Sequence, residues 1–158
     1  MNTKANFQGA SYWLESGKLL DKVIAEQVCL SAARNEQSLV KYLVDHNILD
    51  SIAIAASLAS QFGLPLLDID ALDSLTMPLS LVDHSLIQKH RALPLYKRKS
   101  TLFMGISDPS NLHGLDEIQF HTGCKIEAVI VEENKLHSAL QDCFDQSLKG
   151  FAKKEDTN

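Results

Sequence analysis

A break at Gly63-Leu64-Pro65 constrains this chain more than any other feature. Before it, apolar residues recur at three- and four-residue spacing with almost no β-branched alternation, the pattern of amphipathic helices. After it, short apolar runs alternate with caps and breakers. Gly63 supplies the left-handed residue that ends a helix, and Leu64-Pro65 cannot continue one. The chain is therefore predicted to be α+β. An all-helical N-terminal subdomain spans 1–64, a small α/β subdomain with a mixed sheet spans 65–145, and 146–158 forms a flexible linker.

In the first half, Asp21 is placed to cap a helix to about Arg34, with Ile24 and Val28 one turn apart. Ser51, after Asp50, opens another that presents Ile54, Ala55, Leu58, Ala59 and Phe62. A shorter piece, Leu39 to Val44, lies between them and ends near Asn47. A weak internal repeat at an offset of 30 lays Trp13, Leu14, Gly17, Leu19, Ile24 and Val28 onto Leu43, Val44, Asn47, Leu49, Ile54 and Leu58. Two such units, each too small to bury its own apolar face, are expected to pack on each other.

In the second half, a helix is predicted over Ser80–His90. Strands follow at Ala92–Tyr96 and Thr101–Ile106 around a turn Lys97-Arg98-Lys99-Ser100. Asp108-Pro109 starts a helix whose inner face carries Leu112, Leu115, Ile118 and Phe120, and Gly123 stops it. Lys125–Val131 reads as a strand, and Glu132–Phe144 as a helix with Leu136 and Leu140 inward. Beyond Phe144 the apolar pattern fades into a polar tail, which is expected to be mobile.

The 158 residues suffice for one sizeable domain or two small ones. A net charge of −5 argues against nucleic acid as a partner. No apolar run is long enough to cross a membrane, and the first residues do not read as a signal peptide. Cys29, Cys124 and Cys143 form no CxxC, so neither a disulfide framework nor a zinc knuckle is supported, and a reducing cytoplasm fits best.

No catalytic constellation emerges. Gly17-Lys18 is the sole Gly-Lys pair, but Tyr12 and Leu19 stand where a phosphate-binding loop needs Gly and Ser or Thr. His113, His121 and Cys124 bracket one helix without a fourth ligand, so no metal site is assigned. His84, Lys89, His90 and Arg91 read as favourable charge at the end of the middle helix. The clusters Lys89-His90-Arg91 and Lys97-Arg98-Lys99 are expected to meet at one end of the sheet, making a local basic patch suited to an acidic protein surface, a phosphate-bearing ligand or anionic lipid.

Several strings together resemble the N-terminal region of the type IV pilus assembly (extension) ATPases of the type II secretion ATPase family. They are Gln61-Phe62-Gly63-Leu64-Pro65-Leu66-Leu67-Asp68, Leu86 to Tyr96, Ser107-Asp108-Pro109-Ser110-Asn111-Leu112, and Leu115 to Gly123. The resemblance covers about 10–145. It implies a non-catalytic regulatory and docking portion whose hexameric motor, with its ATP and Mg, lies on chain not present here. It further implies a cytoplasmic position peripheral to the inner membrane, with pilus platform or base proteins, or a PilZ-like regulator, as partners. Lys97, Arg98 and Lys99 are the partner-binding candidates.

Related domains of pilus ATPases bind cyclic di-GMP through tandem helical motifs that begin Arg-Leu-Gly and end in Gln. By that resemblance Leu39, Leu43, Leu58 and Gln61 are ligand-binding candidates in the second copy. There, Ser38 and Val40 stand where Arg and Gly would. In the first copy, Gln8-Gly9-Ala10 replaces the opening triplet and Ser31 the closing Gln. Loss of both arginines removes the charge-assisted and stacking contacts that such a ligand needs.

Overall fold

The computed structural model describes residues 13–155. The Tyr12 position and the Gln8-Gly9-Ala10 triplet lie outside them, as does the end of the tail.

Helix α1 (Lys22–Arg34) follows Asp21, α2 (Leu39–Asp45) follows Ser38, and α3 (Ser51–Phe62) follows Asp50. Ser38 Oγ accepts from the Lys41 amide, and Gly63 closes α3 at φ 64°. The earlier helical segments stop without glycine. Lys18, Glu36 and Asn47 each adopt a positive φ, and the following amide in each case bonds back to a carbonyl five residues upstream: Leu19 to Leu14, Gln37 to Ala32, Ile48 to Leu43. These are Schellman closures made by residues with a side chain.

The closures correct the repeat. Lys18 corresponds to Asn47, Leu14 to Leu43, the cap Asp21 to Asp50, buried Ala25 to Ile54 and buried Cys29 to Leu58. The offset is therefore one residue shorter than the sequence suggests. Ile24 and Phe62, expected on the inner faces, are largely exposed.

Residues 65–67 join the sheet: the Ile130 amide donates to Pro65 O and the Leu67 amide to Ile130 O. Single-turn 3₁₀ pieces at Ile69–Ala71, Ser74–Thr76 and Leu79–Leu81 then form a strap, the first two capped by Asp68 and Asp73. The predicted Ser80–His90 helix is shorter. It is α4 (His84–His90), opened by Asp83, so His84 starts the helix rather than ending it.

The sheet is mixed as predicted. Strands β1 (Leu93–Arg98) and β2 (Thr101–Ile106) are antiparallel, and β3 (Lys125–Ile130) lies parallel to β2. Lys97 and Arg98 belong to β1, and the turn is only Lys99-Ser100, with Lys99 at φ 56°. A bulge between Pro94 and Tyr96 kinks this edge strand beside its proline.

After a 3₁₀ stretch at Pro109–His113 comes α5 (Gly114–Thr122), closed by Gly123 at φ 71°. Leu115 and Ile118 are buried, but Phe120 is 93% exposed, overturning its expected place in the core. The last helix, α6 (Glu133–Glu155), runs well past Phe144, so the backbone through 155 is helical rather than irregular. It packs on α2, α3, α4, β1 and β2, and one apolar core runs from Trp13 and Leu14 to Leu136 and Leu140. The helical and α/β halves share that core.

Candidate functional site

The two basic clusters lie at opposite ends of β1. Arg91 precedes its first residue and Lys99 follows its last, a separation of about 20 Å at the rise of an extended strand. They do not form one patch.

The first cluster is neutralised. Lys89 Nζ and His90 Nε2 both reach Glu117 Oε2, at 3.2 and 2.6 Å. These bonds, that of His90 foremost, hold the Glu117 carboxyl below its ordinary range. Arg91, left-handed at φ 47°, turns its guanidinium onto the buried Glu133 carboxylate, which also accepts from Ser107 Oγ. Burial outweighs both partners and raises the Glu133 pKa.

The second cluster is different. Lys97, Arg98 and Lys99 are exposed, and among the described residues none pairs with a carboxylate. Strand register puts Arg98 on the same sheet face as Tyr96, Thr101, Phe103 and Lys125. Tyr96 and Phe103 stack at 4.4 Å between centroids, and Lys125 lies 3.2 Å from Glu127. The Lys125 amide donates to Ser100 O, so α5 delivers its C-terminal end to this corner of the sheet. Exposed cations on the same sheet face as a stacked aromatic pair suit the rim of a protein interface.

The ligand candidates of the helical half occupy other surroundings. Leu43 and Leu58 are fully buried and Leu39 nearly so, all within the common core. Gln61 is exposed, and its amide is engaged: Nε2 donates to Trp13 O and Ser57 Oγ, and Oε1 accepts from Ser16 Oγ, each at 2.8 Å. The resemblance named these four positions, and helical spacing alone accounts for the three leucines as packing.

His113, His121 and Cys124 do not converge: among the described residues no three His, Cys, Asp or Glu side chains are placed to hold a metal ion. Cys143 sits in the core with Sγ 3.9 Å from His84 Nδ1, and burial raises its pKa, as it does for Cys29. No helix among the described residues is long and apolar enough to cross a membrane.

Sequence reasoning missed the groove between the strap and α6. It encloses about 620 Å³. Lys135 crosses it, with Nζ 2.8 Å from Asp68, 3.1 Å from Asp70 and 2.9 Å from Glu132. These bonds, that of Asp68 foremost, hold the ammonium above the ordinary lysine range, and Lys135 in turn keeps the Asp68 carboxyl low.

Comparison with known proteins adds the relatives. The type IV pilus assembly ATPase PilB of Pseudomonas aeruginosa is 36% identical over all 158 residues, which are 28% of that protein's length. PilB of Acinetobacter baylyi is 34% identical over 119 residues, 75% of this chain and 21% of that protein. The chain thus spans about a quarter of the curated relatives it matches. Among solved structures, MshE with cdg superposes with a TM-score of 0.64 at 21% identity, covering 84% of this chain and 96% of that one. The N-terminal domain of XpsE superposes with a TM-score of 0.65 at 17% identity, covering 88% and 94%. Residues 62–150 match the MshEN domain, more than half of the chain, and the chain belongs to the MshEN domain family.

Proposed function

We propose that this chain is a non-catalytic regulatory and docking domain of a type IV pilus assembly ATPase. It couples a motor carried elsewhere on the longer protein to platform or base proteins of the inner membrane, or to a PilZ-like regulator. The observation that carries this reading is 36% identity to PilB over the full length of the chain. The basic corner at Lys97, Arg98 and Lys99 supports a docking role, because charges held at an exposed rim steer and select an acidic partner more than they stabilise a fold. The domain is expected to take no ATP or Mg of its own and to work in the cytoplasm beside the membrane.

The test uses purified cytoplasmic segments of the platform protein and a PilZ-like regulator as probes for this chain. Capture that weakens about tenfold in a Lys97→Glu/Arg98→Glu variant of unchanged melting temperature supports the reading. Capture equal to wild type discards the corner. Failure of both probes to bind, or phosphate release from ATP by the isolated chain, rejects the docking role.

A second reading draws on the likeness to MshE with cdg, in which this chain senses cyclic di-GMP. It requires Leu39, Leu43, Leu58 and Gln61 to face a ligand. Saturable heat on titration with the dinucleotide, together with a raised melting temperature, would favour it over docking alone.

A further inference from the structure

We propose that copies of this chain dock head to tail, with Phe120 of one copy entering the groove between the strap and α6 of the next. The inference goes beyond the docking reading by adding a second copy of this chain as a further partner, and it rests on that reading only for the exposure of the basic corner to partners.

The knob is an anomaly of α5. The helix buries Leu115 and Ile118 toward the sheet, yet Phe120 on its last turn is 93% exposed. Phe120 lines the same surface hollow as Lys125, whose amide donates to Ser100 O in the hairpin turn beside Lys99; Lys97 and Arg98, the last residues of β1, stand at this end of the sheet on its two opposite faces. Four cations against the nearby carboxylates of Asp116 and Glu127 leave this corner positive on a chain of net charge −5. An aromatic anchor ringed by charge is a common arrangement for a residue that dominates an interface.

The groove is the complement. Ile69, Leu72, Met77 and Leu79 give it an apolar wall, and Asp70 and Asp142 lie on its rim. Among the described residues that line it, Lys135 is the one lysine, and it already serves Asp68, Asp70 and Glu132, so the described rim is net negative. At about 620 Å³ the groove has room for a phenyl ring and its neighbours.

Placement decides the symmetry. Leu93, the first residue of β1, lines the groove, whereas the knob stands at the hairpin end of the sheet, where Lys125 pairs with Thr101. A copy cannot fill its own groove across the length of β1. Joined in one direction only, as proposed, the contact is heterologous: each copy keeps one free knob and one free groove, and the assembly continues as a ring or an open series.

Sedimentation velocity of the full chain tests this, from about 10 µM to about 1 mM, where a small interface operates. The wild type is expected to gain mass with concentration and to lose that gain in high salt. Phe120→Asp, changed at an exposed site, and Met77→Glu are each expected to stay monomeric. Mixed in equal amounts, they should form dimers and nothing larger, since only one knob and one groove remain between them. Asp142→Lys, also at an exposed site, replaces Met77→Glu should the latter unfold. A monomeric wild type throughout the range, unchanged association in Phe120→Asp, or a mixture that stays monomeric overturns the proposal. Phe120→Asp keeps Lys97 and Arg98, so it should still capture the platform or PilZ-like probe. Loss of self-association with retained capture rejects nothing in the docking reading, whereas loss of capture by the wild type does.

Discussion

Gln61, on the last turn of α3, donates from Nε2 to the carbonyl of Trp13, a residue 48 positions earlier, at 2.8 Å. Through this bond the second helical unit closes over the first. Gly17, whose amide also bonds to Trp13 O, lies directly beneath the same side chain. The contact explains why a glycine with ordinary backbone angles stands here: the neighbouring helix comes too close for a Cβ.

Replacing Gly17 by Ala is expected to destabilise the fold by about 1–3 kcal/mol, the usual range for overpacking. The added Cβ would stand 2.7 Å from Gln61 Nε2 and closer still to Ser57 Oγ. Because the clash involves side-chain ends, a Ser57→Ala partner mutation should recover part of the loss. Urea unfolding of the two single variants and the double variant gives the coupling directly. Strict additivity would show that Gly17 does not pack on this pair.

Leu43→Ala and Gln61→Ala separate packing from ligand contact. Leu43 is fully buried, so its truncation should cost about 2–5 kcal/mol whatever else the domain binds. Gln61 is exposed and contributes three hydrogen bonds; its loss should cost about 1–2 kcal/mol at typical net values. Denaturant midpoints of both variants, with and without cyclic di-GMP, read the two roles apart. A ligand-induced shift in wild type that vanishes in Gln61→Ala would assign Gln61 to binding.

The stops at Gly63 and Gly123 were legible because chirality makes a left-handed residue expensive for anything but glycine. Lys18, Glu36, Asn47, Arg91 and Lys99 take that conformation without being glycine, so their turns are marked only approximately: the helix ends near Arg34, Asn47 and His90 are legible, whereas the pattern assigns Lys97 and Arg98 to the hairpin turn and not to β1. Phe120 is out of step with the inner face of α5: two residues past Ile118 it stands about 200° around the axis, so grouping it with Leu115 and Ile118 as core overlooks the spacing. The contacts that define the sites are separated by 27 residues for His90–Glu117, 42 for Arg91–Glu133 and 67 for Lys135–Asp68. Pairing over such distances follows from the packing of α4, the strap and α6, which local pattern does not encode.

Lys135→Met keeps the aliphatic stem and removes the charge that ties the strap to α6. The strap backbone, bonded internally by Ala71 to Asp68 and Leu72 to Ile69, should then exchange its amide hydrogens faster. Hydrogen exchange read by mass spectrometry over residues 68–82 checks this, with β2 as the internal control. The sign with pH also follows. Asp68 is held low by Lys135, so its contribution is present above the ordinary carboxylate pKa and is lost as pH falls through the lowered one. Lys135 is held high, so its contribution is present below the ordinary lysine range and is lost only in stronger alkali. Unchanged exchange in Lys135→Met would mean that apolar contacts alone hold the strap.

The Arg91–Glu133 pair carries the opposite sign of pH dependence. Glu133 is 3% exposed and meets Arg91 and Ser107. Removing Arg91 leaves a buried carboxylate without its counter-charge, so Arg91→Ala should cost about 3 kcal/mol at neutral pH, the lower end for a broken buried pair because the arginine is itself partly exposed. Since burial raises the Glu133 pKa above its ordinary 4.5, the folded state takes up the proton more readily than the unfolded chain does. Stability from this group is therefore greatest below pH 4.5 and declines as pH rises through the raised folded value. Glu133→Gln keeps a carbonyl acceptor for Arg91 and Ser107 but cannot ionise. Its stability relative to wild type should therefore increase between pH 4.5 and neutrality, as read by urea unfolding at both ends of that window. A flat difference would mean that Arg91 and Ser107 just balance the desolvation of the carboxylate, and one that moves the other way would mean that they more than offset it, making this junction a net electrostatic clamp between α4 and α6.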